Sequence, residues 1–247
     1  MNIYLIGIGT GNIEHITLAA IEALKKADLI ILPRKKNDAI DLLNLRKEIC
    51  KKILKPKSKN IKEFIIPERK KKIEYIESVE IWHNKISQAW NDSIVNYQGK
   101  KNNVALLIWG DPMLYDSSIK IARKIVDESK IHIISGISSL QALAAAHKIT
   151  INDIGGQILI TTGRLLRKKG RLFNEKKAII MLDGECSFQY INKSNYFIWW
   201  GAYLGMKNEI TFKGELESLS KKIIIARKNE RNKNGWIMDT YLLERKN

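Results

Sequence analysis

Three short stretches of the chain combine glycines with side chains that can bind a ligand or move a proton. The first, Gly7-Ile8-Gly9-Thr10-Gly11, follows an apolar run and precedes a helical pattern. Glycines there let main-chain amides approach an anion at a helix start. The spacing is GxGxG rather than GxGxxG, and Pro33-Arg34-Lys35 stands where a dinucleotide-binding fold carries an acidic residue. This argues against a nicotinamide-dependent dehydrogenase and leaves either a tight strand-to-helix turn or one edge of another ligand site. The second stretch, Trp109-Gly110-Asp111-Pro112-Met113-Leu114-Tyr115-Asp116-Ser117, offers a carboxylate and a phenol in a turn shaped by Gly110 and Pro112. Capping of the next helix accounts for Asp116 or Ser117 but not for Asp111 and Tyr115. The third, Ser135-Gly136-Ile137-Ser138-Ser139, places hydroxyls where they cap a helix or bind a ribose or carboxylate. Of the four histidines, His15 stands at a helix start, while His83, His132 and His147 read as helix-face or strand residues without partners. Cys50 and Cys186 are far apart and have no Cys or His at ligand spacing, which argues against a disulfide framework and a zinc site.

The elements that must position these turns are legible as hydropathy patterns. Apolar runs at 3–8, 29–32, 64–66, 104–108 and 131–134 read as buried strands, with Pro33 stopping the second. Helical spacing occupies 16–24, 40–54, 73–97, 117–129 and 138–147. Strands alternating with helices, and apolar on both faces, predict a parallel sheet covered on both sides. All three turns then fall at strand C-terminal ends, where open α/β sheets bind ligands. Near residue 150 the pattern changes. Strands are expected at 158–160, 178–182 and 196–200, then a turn at 205–208 and a short returning strand at 209–213. Ile223-Ile224-Ile225 and a segment at 236–243 follow, suggesting a mixed sheet with antiparallel pairs. The expectation is an α/β protein of two domains, 1–150 and 151–247, with a ligand cleft between them.

Composition sets the outer bounds. The formal charge is +17, which admits a polyanionic partner such as RNA. Yet 33 Lys stand against 10 Arg and 41 Ile against 4 Val, so the bias runs through core aliphatics as well as surface cations. Lysine runs such as 69–72 and 167–169 carry no interleaved aromatics for base stacking. No apolar run approaches the roughly 20 residues that span a bilayer, and the first residues read as a strand rather than a signal peptide. A cytoplasmic location is expected.

In order and spacing, the three turns resemble those of the tetrapyrrole methylase family, whose members carry GxGPG-like, GDPxxY-like and PGxSS-like turns. Leu32-Pro33-Arg34-Lys35, Thr161-Thr162-Gly163-Arg164, Met181-Leu182-Asp183, Trp200-Gly201-Ala202-Tyr203-Leu204-Gly205 and Gly235-Trp236-Ile237-Met238-Asp239 resemble one branch of that family, over nearly the whole chain. The resemblance implies a parallel-sheet N-terminal domain plus a mixed-sheet C-terminal α/β domain, with S-adenosylmethionine as methyl donor. It implies methylation at ring carbon C1 of precorrin-5 with release of acetate. By motif position, Thr10, Gly110, Asp111, Pro112, Ser138 and Ser139 would face the donor from the first domain, and Met181, Leu182, Gly201 and Ala202 from the second. Acetate release needs a general base, for which Asp111, His15 and Tyr115 are candidates, in that order. Arg34, Lys35 and Arg164 would hold substrate carboxylates. No metal or nucleic acid is implied; a homodimer is. Two departures are Ile13, where a proline is expected after Gly11-Asn12, and Ser135, where one precedes Gly136. Each loosens a turn by about 1 kcal/mol through unfolded-state entropy. The alternatives are a methylase of the same fold acting at another ring position and a basic RNA-binding protein.

Overall fold

The computed structural model describes residues 1–35, 41–54, 60–69, 74–172 and 175–246. Ile40 and Ile73, expected at two helix starts, and lysines 70–72 lie outside the described residues. The chain forms two compact units, Met1–Ser138 and Ser139–Asn247.

In the first unit β1 (Asn2–Gly7), α1 (Leu18–Lys26), β2 (Leu29–Arg34), α2 (Asp41–Ile53), β3 (Asn60–Ile65), α3 (Tyr75–Val95), β4 (Asn103–Ile108), α4 (Ser118–Ala122) and β5 (Ile131–Ile134) follow in order. The strands form one sheet in the order β3-β2-β4-β1-β5, and every pairing is parallel. Strand alternation explains the continuous apolar runs. Ile6, Ile30, Leu32, Ala105 and Leu107 pack with Leu24 and Ile49 on one face. Ile3, Leu5, Leu29, Ile31, Val104 and Leu106 pack with Ile86, Trp90 and Ile94 on the other. Pro33 does not stop β2. Pairing with β4 ends at Ile31↔Leu106, and Pro33 faces only β3, so its missing N–H costs no central hydrogen bond. The helix expected over 117–129 is shorter: after α4, tighter bonds such as Lys124 N to Ile121 O at 3.0 Å take over.

The second unit contains α5 (Ser139–His147), β6 (Leu159–Thr162), α6 (Gly163–Lys169), β7 (Lys177–Met181), β8 (Tyr196–Ala202), β9 (Ile210–Glu215), α7 (Leu216–Asn234) and β10 (Asp239–Arg245). Its sheet runs β6-β7-β10-β8-β9. β6 and β7 are parallel, and β10 is antiparallel to both β7 and β8. The mixed sheet is therefore as expected, and β9 returns on β8. Two helices were not expected. α6 ends at Gly170, left-handed at φ 67°, and Ile223-Ile224-Ile225 lies inside α7 rather than in a sheet. α5 lies against β8, β9 and β10, so this helix, read from sequence before the change at residue 150, packs with the second unit. Among the described residues no helix is long and apolar enough to cross a membrane.

Candidate active site

Parallel pairing brings the three glycine turns of the first unit to one sheet edge. Gly7 pairs with Ile108, and Ile6 with Ile134, so the chain leaves β1, β4 and β5 side by side. The turns then touch backbone to backbone. A Cβ on Gly7 would lie 2.6 Å from Gly136 N and 2.9 Å from Gly110 O. Gly9 and Gly110 exchange main-chain bonds of 3.2 and 2.8 Å. Both adopt positive φ, 72° and 68°, which glycine alone takes without penalty. At Gly110 the nearest atom to an added Cβ is Ser138 Cα at 4.0 Å. Gly7, Gly9 and Gly110 are themselves buried, and the space beside Gly110 where a side chain would stand is left unfilled next to buried Ser138.

Asp111, first among the expected bases, is committed to this architecture. Its Oδ1 accepts from Met113 N at 2.7 Å and its Oδ2 from Gly136 N at 2.9 Å. The carboxylate thus closes its own turn and ties it to the next strand's exit. Asp116 accepts from Ser118 N at 2.7 Å and caps α4, whereas Ser117 makes no side-chain cap bond. Tyr115 is half-exposed and left-handed at φ 51°; partial burial raises its phenol above the ordinary range. His15 closes a 3-10 turn, Ile13–His15, capped by Asn12, whose Oδ1 accepts from Glu14 N at 3.0 Å. That cap holds the turn that lacks a proline at Ile13. His15 Nδ1 lies 3.1 Å from the buried Thr10 hydroxyl. His15 Cβ would be 2.8 Å from a Cβ on Gly9, so the glycine makes room for this pair.

The expected cations distribute over both units. Arg34 ends β2 on the same sheet edge and pairs with Glu63 at 3.5 Å, while Glu63 also takes Lys47 at 2.5 Å. Lys35 follows Arg34 and is exposed. Arg164 is exposed at the start of α6 in the second unit.

In the second unit β7 and β8 flank β10 and end at the same sheet edge. Met181 ends β7, and Leu182 follows, left-handed at φ 52° and 65% exposed. Gly201 and Ala202 end β8, paired with Thr240 and Asp239. A Cβ on Gly201 would lie 3.0 Å from Leu204 Cγ and 3.2 Å from Leu143 Cδ1, so that glycine is explained by packing beneath α5. The same helix is fastened by His147, whose Nε2 lies 3.1 Å from Trp200 O. Ser139 opens α5. His147 is thus not without a partner, nor is His132, which stacks on Tyr4 with centroids 4.5 Å apart.

Sequence reasoning assigned no role to Asp183, Arg227, Asp239 or Tyr241, which form a buried polar network. Arg227 Nε donates to Asp239 Oδ2 at 3.0 Å, Trp200 Nε1 to the same oxygen at 3.0 Å, and Arg227 Nη2 to Asp183 O at 3.2 Å. Asp183 and Asp239 lie in the branch-specific stretches, whereas Arg227 and Tyr241 carried no signal in the sequence. Among the described residues no cluster of three or more His, Cys, Asp or Glu could hold a metal. Burial pushes both cysteine thiols up to about 11, which keeps them protonated and poor nucleophiles at neutral pH.

A parallel sheet with glycine turns at adjacent strand ends, followed by a mixed-sheet unit, defines a two-unit α/β protein. A family model for tetrapyrrole (corrin/porphyrin) methylases matches residues 2–220. The chain belongs to the tetrapyrrole methylase family. A precorrin-6A synthase (deacetylating) of Sinorhizobium sp is 39% identical over 250 residues, spanning 98% of this chain and 95% of that protein. The crystal structure of a cobalamin-synthesis-related protein (CobF) of Corynebacterium diphtheriae superimposes with a TM-score of 0.81 at 33% identity, covering 98% of each chain. A Thermus thermophilus uroporphyrin-III C-methyltransferase, solved with S-adenosylhomocysteine, shares the fold at a TM-score of 0.60 and 14% identity, covering 99% of this chain and 97% of that one.

Proposed function

We propose that the chain is an S-adenosylmethionine-dependent methyltransferase of corrin biosynthesis that converts precorrin-5 to precorrin-6A, methylating C1 and releasing acetate. The observation that carries this reading is 39% identity with a precorrin-6A synthase over nearly the full length of both chains. The unfilled space beside Gly110 and Ser138 supports placing a ligand against this turn. The donor supplies an activated methyl group, so the protein's own contribution is alignment of donor and acceptor. Thr10, Gly110, Asp111, Pro112 and Ser138 in the first unit, and Ser139, Met181, Leu182, Gly201 and Ala202 in the second, are assigned to donor binding. Gly201 acts through its main chain.

Acetate leaves when water, deprotonated by a base, adds to the acetyl carbonyl and the carbon–carbon bond to the ring breaks. The bonding pair stays on the ring carbon, which is then the nucleophile for the methyl group. Of the three candidate bases His15 is best supported. Asp111 already accepts two main-chain N–H groups, and the raised Tyr115 phenol resists ionisation. In the tautomer where His15 Nδ1–H donates to Thr10, Nε2 keeps its lone pair for the water. Arg34, Lys35 and Arg164 are assigned to substrate carboxylates, with Arg34 leaving its loose surface pair to do so. On this reading no metal or nucleic acid takes part, and the enzyme works in the cytoplasm as a homodimer.

Incubation with precorrin-5 and methyl-labelled donor tests the reading directly. Labelled ring and free acetate are expected in equal amounts. Methylation without acetate would assign the chain to another ring position, and failure of S-adenosylhomocysteine to raise the melting temperature would count against any methylase.

A further inference from the structure

Leu182 is exposed to solvent in a backbone conformation that L side chains disfavour. The three residues Ala178, Ile179 and Ile180 just before it are fully buried, so the chain turns outward abruptly at the end of β7. Cys186, four residues on, is also left-handed at φ 52°. Between these two outliers stands Asp183, buried, with both carboxylate oxygens engaged. Oδ2 accepts from Ser187 N at 2.5 Å and from Tyr241 OH at 2.6 Å; Oδ1 accepts from Ser187 Oγ at 2.8 Å and from Glu185 N at 3.2 Å. Burial pushes the Tyr241 phenol well up, so it stays protonated and remains a donor. Arg227 holds the Asp183 carbonyl as well. Gly163 yields space for the side chain, since a Cβ there would lie 2.5 Å from Asp183 Cβ.

Strained residues persist where their surroundings over-determine them, and they cluster where a ligand is met. Nothing in the packing of Leu182 itself rewards its conformation; the reward lies in the side chain next to it. We propose that Asp183 is a positioning residue for the methyl donor, holding Leu182 left-handed so that its isobutyl group and peptide face the ligand. This rests on the methylase reading given above. The carboxylate does no acid–base work, because its acceptor sites are filled by donors of the protein. It acts through Leu182.

Calorimetric titration with S-adenosylhomocysteine tests this on the full chain. Asn at position 183 presents one acceptor and one donor to a set of four donors. Asp183→Asn is therefore expected to weaken binding about tenfold and raise the donor KM in parallel. The macrocycle KM stays within about twofold and kcat at saturating donor changes little, a split that general loosening of the fold does not produce. Leu182→Ala, at an exposed position, is expected to weaken binding without lowering the melting temperature. Should Asp183→Asn fail to fold, Tyr241→Phe removes a single donor and is expected to weaken binding about threefold. Folded variants that bind as tightly as wild type overturn the inference alone. Wild-type protein that binds no S-adenosylhomocysteine overturns the methylase reading, and the inference with it.

Discussion

Replacing Gly7 by Ala would place a methyl group among three main-chain atoms, Gly136 N at 2.6 Å, Gly136 Cα at 2.8 Å and Gly110 O at 2.9 Å. Ordinary contact begins near 3.4 Å, so the neighbours must retreat by about half an ångström or more, and backbone cannot swing aside as a side-chain tip can. Retreat of Gly110 strains its paired bonds with Gly9, and retreat of Gly136 lengthens its bond to Asp111. Overpacking costs roughly 1–3 kcal/mol and each weakened bond about 1 kcal/mol. A total of about 2–5 kcal/mol is a large share of the roughly 5–15 kcal/mol that a typical fold holds in reserve. Gly7 has no positive φ, so the cost is steric. Equilibrium urea unfolding followed by tryptophan fluorescence measures it, with Gly184→Ala as control, since nothing lies within 4 Å of a Cβ there. The midpoint of Gly7→Ala should fall clearly below that of the control, and S-adenosylhomocysteine affinity should fall with it. A Gly7→Ala protein that unfolds with the wild type would refute the backbone contact of the three turns.

Two further outcomes concern buried basic groups. Arg46 donates to Leu107 O at 3.1 Å and Leu42 O at 3.3 Å, serving a carbonyl just beyond the last β2–β4 pair. Burial pulls its guanidinium down to about 10, still charged at neutral pH. Arg46→Met leaves that carbonyl unpaired and should destabilise by roughly 1–3 kcal/mol in urea unfolding; an unchanged midpoint would show the bond to be idle. Burial also holds His83 and His147 below the ordinary histidine range. The folded state then binds a proton less readily than the unfolded one. Their contribution is therefore full above the unfolded value of 6.5 and is lost as pH falls through it toward the lowered folded value. His83 Nε2 has no hydrogen-bond partner, so His83→Leu should flatten the decline in urea midpoint between about pH 7.5 and 5.5. A midpoint insensitive to pH, or a slope untouched by the substitution, would contradict this.

The first sheet was legible because its central strands β1, β2 and β4 are buried on both faces, which writes them as unbroken apolar runs. The second unit hid α7 for a physical reason. Its inward positions Leu216, Ser220, Ile223 and Arg227 keep helical spacing, but two of the four are polar. Ser220 is buried, and Arg227 points at Asp239 with its side chain only 11% exposed. An apolar period with every second member replaced is invisible to a hydropathy reading, and the clumped Ile223-Ile224-Ile225 imitates a strand. α6 left a clearer trace in Arg167-Lys168-Lys169-Gly170, a basic last turn before a glycine. The three glycine turns were legible as motifs because each is local. Which turn binds which was not, because Asp111 meets Gly136 across 25 positions and Tyr241 meets Asp183 across 58.

Those two aspartates share one design. Each follows a strand exit, turns its oxygens onto main-chain N–H groups, and stands where a glycine leaves room for close approach. Asp111 joins the Gly7, Gly110 and Gly136 turns; Asp183 fills the space beside Gly163. A carboxylate at a strand end in a ligand-binding fold invites assignment as a base, since it is ionised at neutral pH. Here the oxygens of both carboxylates are engaged by donors of the protein itself. What each carboxylate supplies is rigidity at a strand end, which the proposed function makes a binding edge. That is the property a methyl transfer needs, since a donor that arrives already activated requires its acceptor held in line rather than a proton removed. The hydrolytic half of the reaction does need a base. On the proposed function that base is His15, whose Nδ1 lies beside the Thr10 hydroxyl in a turn cleared by Gly9 and whose Nε2 faces away from that bond.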